Sequence, residues 1–127
     1  MSSYVIDSSA LLAMINEEPG GDQVLPHLST GMMSAVNVSE VATILQLHNI
    51  DIKISRQLIS DLIKDIKEFN KEQAYLAATL INETKKYGLS FGDRACLSLA
   101  QSKKLPVLTA DKAWSKLKLD FEIHLIR

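Results

Sequence analysis

The chain is poor in the features that mark exported, fibrous or membrane-spanning proteins. It has one cysteine, Cys96, so no internal disulfide can form, and no Cys/His cluster supplies a zinc-type ligand set. Three prolines and five glycines in 127 residues exclude collagen-like, elastic and low-complexity chains. No apolar run approaches the roughly eighteen residues a membrane helix needs. The opening Met-Ser-Ser-Tyr-Val-Ile-Asp has no basic segment and meets an acid at Asp7, unlike a signal peptide. The expectation is a protein of the reducing cytoplasm, with no membrane partner.

What is present reads as one domain over residues 1–127. Apolar residues make up 46% and charged residues 23%, an ordinary globular balance. A chain of this length buries roughly two-thirds of its unfolded surface and needs no staple. No repeat or linker interrupts it. The net charge of −1 hides an asymmetry, because residues 1–70 sum to −5 and residues 71–127 to +4. A basic half can serve a polyanion if folding gathers it beside one site, and it reads equally well as scattered solubilising charge.

Along the chain, Tyr4-Val5-Ile6 is a short β-rich run ended by Asp7, and Ser8 is placed to cap a helix through Leu11, Leu12 and Ile15. Pro19-Gly20-Gly21 breaks it. A short amphipathic stretch over 24–28 and an apolar run over 32–36 follow. Asn37 is expected to cap a helix presenting Val41, Ile44, Leu45 and His48. A second helix is expected from Ser55 through Ile66, and a third with Ala74, Ala77, Ala78 and Ile81 on one face, closing at Lys85, Lys86 and Gly88. Ser90 opens a helix with Cys96, Leu99 and Ala100 inward. Residues 106–109 read as a buried strand, a short helical piece holds Trp114 and Leu117, and residues 122–126 form the last strand. Short apolar strands alternating with amphipathic helices predict an α/β fold, a parallel sheet covered on both faces, with sites outside the carboxyl ends of the strands.

Four acids stand where apolar segments end or helices begin: Asp7, Glu40, Asp93 and Asp111. In a parallel sheet such positions collect on one edge. Converging carboxylates repel one another unless a cation neutralises them, and oxygen-only ligands select a hard ion, Mg²⁺ or Mn²⁺. Such an ion polarises phosphate and acidifies water, which suits phosphodiester hydrolysis. Each acid also has a plain structural reading. Asn37-x-x-Glu40 and Ser90-x-x-Asp93 match capping boxes, Asp111 can cap residues 112–117, and Asp7 can be a turn acid.

The segments Val5-Ile6-Asp7-Ser8-Ser9-Ala10-Leu11-Leu12-Ala13, Ser34-Ala35-Val36-Asn37-Val38-Ser39-Glu40-Val41, Gly88-Leu89-Ser90-Phe91-Gly92-Asp93-Arg94-Ala95-Cys96-Leu97 and Val107-Leu108-Thr109-Ala110-Asp111-Lys112-Ala113-Trp114 resemble, in order, the signature blocks of PIN-domain ribonucleases of the VapC toxin type. The resemblance runs the length of the chain. It implies a three-layer α/β/α sandwich around a parallel sheet of about four to five strands, and Asp7, Glu40, Asp93 and Asp111 as metal-binding catalytic acids. It further implies Mg²⁺- or Mn²⁺-dependent endonucleolytic cleavage of RNA, a small antitoxin protein occluding the acids, and a homodimer or toxin–antitoxin hetero-oligomer. Some PIN nucleases carry a further acid near the third one; here Arg94 stands there, which leaves one or two metals open.

Around the acids, Ser9 and Thr109 are candidates to hold the carboxylates, with local capping as the alternative. Arg94, Lys112 and Lys116 are candidate phosphate contacts, Arg94 otherwise an outward surface arginine. Trp114 reads as core rather than a stacking platform, Asn37 as a cap rather than a ligand, and His27, His48 and His124 as non-catalytic. The apolar face of Leu47, Ile50, Ile54, Leu58 and Ile59 is either a partner surface or core. Against the nuclease stands a non-catalytic metal- or RNA-binding α/β regulatory module. The phospho-acceptor kind wants adjacent acids after the first strand, where this chain has Asp7 followed by Ser8.

Overall fold

The computed structural model describes residues 3–127. Five short strands, β1 (Val5–Ile6), β2 (Met32–Ser34), β3 (Asp65–Lys67), β4 (Val107–Thr109) and β5 (Ile123–Leu125), form one parallel sheet in the order β3-β2-β1-β4-β5. Parallel neighbours cannot be joined by hairpins, so helix fills every connection. The connections hold α1 (Ser8–Ile15), α2 (Ala35–Leu47), α3 (Ile52–Leu62), α4 (Lys71–Thr79), α5 (Ile81–Thr84) and α6 (Phe91–Lys103), plus short 3₁₀ turns.

Alternation along the strands divides the interior in two. Val5 lies opposite Met32 and Val107, and Ile6 opposite Leu108, so each row of side chains lands on one face. Ile6, Met33 and Leu108 pack with Leu11 of α1, Val41 of α2 and Ile59 of α3. Val5 and Val107 pack on the other face with Leu97 and Leu99 of α6, Leu80 and Trp114. The fold is the α/β/α sandwich expected, and Trp114, with no exposed surface, is core.

Several local expectations are corrected. The helix expected from Ser55 to Ile66 starts earlier, at Ile52, where the Asp51 carboxylate accepts from the Lys53 amide, and stops at Leu62. Ile66 belongs instead to β3, an edge strand paired in parallel with β2. The alanine face expected at residues 74–81 is out of phase: Gln73, Ala77, Leu80 and Thr84 are buried, while Ala74 and Ala78 are exposed and Ile81 is 39% exposed. The helix also breaks between α4 and α5. Ser34, not Asn37, caps α2, its hydroxyl accepting from the Val36 amide. Ser8 does not cap α1; Asp7 occupies that position in extended conformation, without a side-chain cap bond. The expected partner face is divided, because Leu47 and Ile54 are 71% and 61% exposed, Ile50 and Leu58 are half-buried, and Ile59 is core.

From β1 the sheet grows outward through β2 and β3, then the chain returns to place β4 on the opposite side of β1. In an open parallel sheet a crevice forms at such a switch point, outside the carboxyl ends of the strands. Asp7 directly follows β1, and Asp111 follows β4 after Ala110.

Candidate active site

An open cleft of about 720 Å³ lies at that edge, lined by Asp7, Glu40, Asp93 and Asp111 together with Ser8, Ser9, Gly92, Leu12, Val36, Ile44 and Phe91. The four acids come from four parts of the chain: the β1–α1 junction, the second turn of α2, the first turn of α6, and the end of β4.

Asp7 is the most enclosed, 3% exposed. Its Oδ2 accepts from Ser9 Oγ at 2.5 Å and from Thr109 Oγ1 at 2.8 Å. Ser9 and Thr109 also lie 3.2 Å apart, oxygen to oxygen, and Ser9 Oγ accepts from the Ala110 amide, so this pair ties the ends of β1 and β4 together around the carboxylate. Burial pushes the Asp7 pKa up to about 6. The two hydroxyl bonds oppose that rise, and the charges of Asp93 and Glu40 add to it.

Glu40 is held by a clamp. Its Oε1 accepts from Ser8 Oγ at 2.6 Å and from Asn37 Nδ2 at 2.9 Å. Asn37 is wholly buried, and its Nδ2 also donates to the Gly92 carbonyl at 2.9 Å. Both neighbours are acceptors, which fixes the orientation of the amide and leaves Asn37 Oδ1 buried without a partner. A Cβ at position 92 would land on the Glu40 carboxylate, so glycine is what lets α6 approach α2 here. Asn37 is thus a tie between α2, α6 and Glu40, not a cap.

Asp93 forms the expected capping box: Ser90 Oγ accepts from the Asp93 amide, and Asp93 Oδ2 accepts from the Ser90 amide at 2.8 Å. Burial raises its pKa, the two bonds with Ser90 lower it, and the charges of Glu40 and Asp111 raise it again. Asp111 caps the 3₁₀ turn after β4 through the Ala113 amide and is exposed. Behind the acids lies Cys96, fully buried; burial pushes its thiol well up, and the charges of Asp7, Asp93 and Glu40 act in the same direction.

Among the described residues, no group of three or more His, Cys, Asp or Glu stands close enough to hold one ion with side chains as they are. Each of the four carboxylates instead accepts from a protein donor. The donor set still fits a hard cation, since carboxylate and hydroxyl oxygens face the cleft and the charges of neighbouring acids raise the pKa of Asp7 and Asp93.

The remaining candidates separate. Lys112 and Lys116 are exposed on the turn after Asp111. Arg94, expected as a phosphate contact or an outward arginine, turns back instead: its Nη1 donates to the Ala77 carbonyl at 3.1 Å, linking α6 to α4. His27 and His124 pack against Tyr4, before β1 and so beyond the strand from Asp7. Ser8 and Phe91 line the cleft and Asn37 lies buried behind Glu40, three site residues that sequence reasoning missed. The N-x-x-E and S-x-x-D spacings draw attention to caps, and nothing local in the sequence marks a bond from Asn37 to a carbonyl 55 residues away.

A parallel α/β sandwich with an acidic cleft at its switch point defines a class of domain. The family model of the PIN domain matches residues 4–119, and the chain belongs to the PIN-domain family. Comparison with curated proteins gives no match. Among solved structures it is similar to a toxin–antitoxin complex from Klebsiella pneumoniae, with TM-score 0.76 and 17% identity over 98% of each chain. It is also similar to a DNA-bound VapBC from Salmonella typhimurium, with TM-score 0.74 and 13% identity over the whole of both chains. A sarcin–ricin-loop-cleaving VapC toxin of Mycobacterium tuberculosis gives TM-score 0.73 and 15% identity over 89% of this chain and 93% of that one. At these identities the likeness is one of fold.

Proposed function

We propose that this chain, a single PIN domain over residues 1–127, is a divalent-metal-dependent endoribonuclease, the toxin of a toxin–antitoxin pair in the cytoplasm. The observation that carries the reading is the meeting of Asp7, Glu40, Asp93 and Asp111, from four separate elements, in one cleft at the switch point of the sheet. Solvation by the protein is built for two of them: Ser9 and Thr109 hold Asp7, while Ser8 and Asn37 hold Glu40. Asp93 and Asp111 each accept one solvent-exposed backbone amide, from Ser90 and Ala113, and would complete the ligand set.

These acids would hold Mg²⁺ or Mn²⁺, which when bound supplies Lewis acidity to a phosphate oxygen and lowers the pKa of water. The chain's own part is to fix the carboxylates, exclude bulk water with Leu12, Val36 and Ile44, and meet the RNA backbone with Lys112 and Lys116. The similar structures named above include toxin–antitoxin complexes and a sarcin–ricin-loop-cleaving toxin. Those likenesses support a small antitoxin as the partner that covers the cleft, in a hetero-oligomer or with the toxin as homodimer. The alternative, a non-catalytic metal- or RNA-binding module, draws its support from the capping bonds of Asp93 and Asp111.

Incubating antitoxin-free protein with labelled single-stranded RNAs decides between them. The nuclease cuts in Mg²⁺ or Mn²⁺, stops in EDTA, and is inactive as Asp7→Ala. Equal cutting by wild type and Asp7→Ala would mark a contaminant, and binding of RNA without cutting would favour the module.

A further inference from the structure

Phe91 is the first residue of α6, two residues before Asp93, and it lines the acidic cleft. It is 51% exposed and belongs to neither hydrophobic core. A large aromatic left half in water gives up part of the burial that would stabilise the fold. Its orientation is nevertheless fixed. Phe69, in the connection between β3 and α4, meets it at right angles with ring centroids 5.5 Å apart. The Arg94 guanidinium lies over its ring, 5.8 Å from the centroid, and is itself anchored on the Ala77 carbonyl. Gly92, between Phe91 and Asp93, adds no side chain that would separate the ring from the carboxylates. The result is a braced ring, half open, on the wall of a cleft that also carries carboxylates and hydroxyls.

A ligand that suits both halves of this cleft carries an anionic group, which a cation at the acids would hold, beside a flat π-face. A nucleotide has that pairing, with a phosphodiester joined to a base. We infer that Phe91 is a stacking platform for one unpaired nucleobase next to the phosphodiester held at the acids, with Phe69 and Arg94 as positioning residues behind it. This deepens the nuclease reading and rests on it. It makes the substrate RNA with an unstacked base beside the cut, because a base held in a duplex cannot lie on the ring, and stacking of this kind tolerates any base.

The experiment measures Mn²⁺-dependent cleavage of a short labelled single-stranded RNA by wild type, Phe91→Ala, Phe91→Leu and Phe91→Trp, with thermal melts to confirm folding. One stacked base is worth roughly 1–3 kcal/mol, so Phe91→Ala and Phe91→Leu should lose roughly five- to 150-fold, in KM more than in kcat, and Phe91→Trp should retain activity. The same RNA with an abasic nucleotide at each position in turn supplies a readout that a structural role would not move. One abasic position beside the cut should cost wild type as much as Phe91→Leu costs on intact RNA, and should cost Phe91→Leu nothing further. Wild-type cleavage with unchanged KM in both truncations, or additive losses at every abasic position, would overturn the platform while leaving the nuclease intact. Wild type that neither binds nor cuts the RNA would overturn both.

Discussion

Asp7 carries the strongest electrostatic tension among the cleft acids. Its pKa is about 6 in the fold against 3.8 unperturbed, so the folded state prefers the protonated acid. The stabilising preference is complete below about pH 4 and is lost as pH rises through about 6. In metal-free protein, Asp7→Asn should therefore raise stability at neutral pH by up to about 3 kcal/mol and change little near pH 4, read from denaturant unfolding of the pair across pH. Unfolding midpoints that differ equally at all pH values would contradict this origin. Asn37 makes a second case. Removing its amide as Asn37→Ala frees Glu40 and unties Gly92, and groups that orient ligands in this way are worth about 10- to 100-fold in metal affinity or activity. Rescue by a residue that donates to Glu40, such as Asn37→Gln, would separate positioning from packing. The acids themselves are legible as candidates in the sequence, since Asp7, Asp93 and Asp111 stand at element ends, and Glu40, in the second turn of α2, lies like them in a block resembling the family's. The clamp on Glu40 is not, because N-x-x-E is the same string whether Asn37 starts a helix or lies inside one. Ser34, three residues earlier, decides which.

Among the elements, those with strong end signals are readable and the weak ones are not. Ser90 and Asp93 form the capping box their spacing announces, and the buried strand expected at 106–109 is β4, over 107–109. β3 gives no such signal because it has three residues, an edge position and an Ile66 that is 39% exposed, so it offers neither a long apolar run nor a buried face. Along α4 and α5 the buried stripe runs through Gln73 and Thr84, polar residues that a search for apolar periodicity passes over. The cap and the glycine of α6 should respond in opposite ways. Ser90→Ala removes an N-cap and should cost about 1 kcal/mol of stability, seen as a lower melting temperature. Gly92→Ala improves helix propensity, yet its Cβ meets the Glu40 carboxylate, so cleavage should fall more than stability does. Full activity in Gly92→Ala would show that Glu40 need not stay where its clamp holds it.

Taken whole, the molecule joins an acidic N-terminal half, −5 over residues 1–70, to a basic C-terminal half, +4 over residues 71–127. The sheet brings the two together, because β1 and β4 are neighbours at the switch point. Asp7 and Glu40 come from the acidic half, whereas Asp93, Asp111 and the exposed Lys112 and Lys116 come from the basic one. Replacing both lysines by glutamate should raise KM for RNA and flatten its salt dependence, by about 0.7 in the log–log slope for each single-strand phosphate that is no longer neutralised. Unchanged salt dependence would move the RNA path elsewhere. No described helix is long and apolar enough to cross a membrane.

The shared role of the four acids can be read from calorimetric titration of Mn²⁺ into antitoxin-free protein, comparing wild type with Asp7→Asn, Glu40→Gln, Asp93→Asn and Asp111→Asn. Saturable binding to wild type, weakened in all four variants and accompanied by a rise in melting temperature that Asp7→Asn does not share, is the expected result. Binding left intact in the variants, or no binding to wild type at all, would mean that the acids are caps and turns that happen to meet in one cleft.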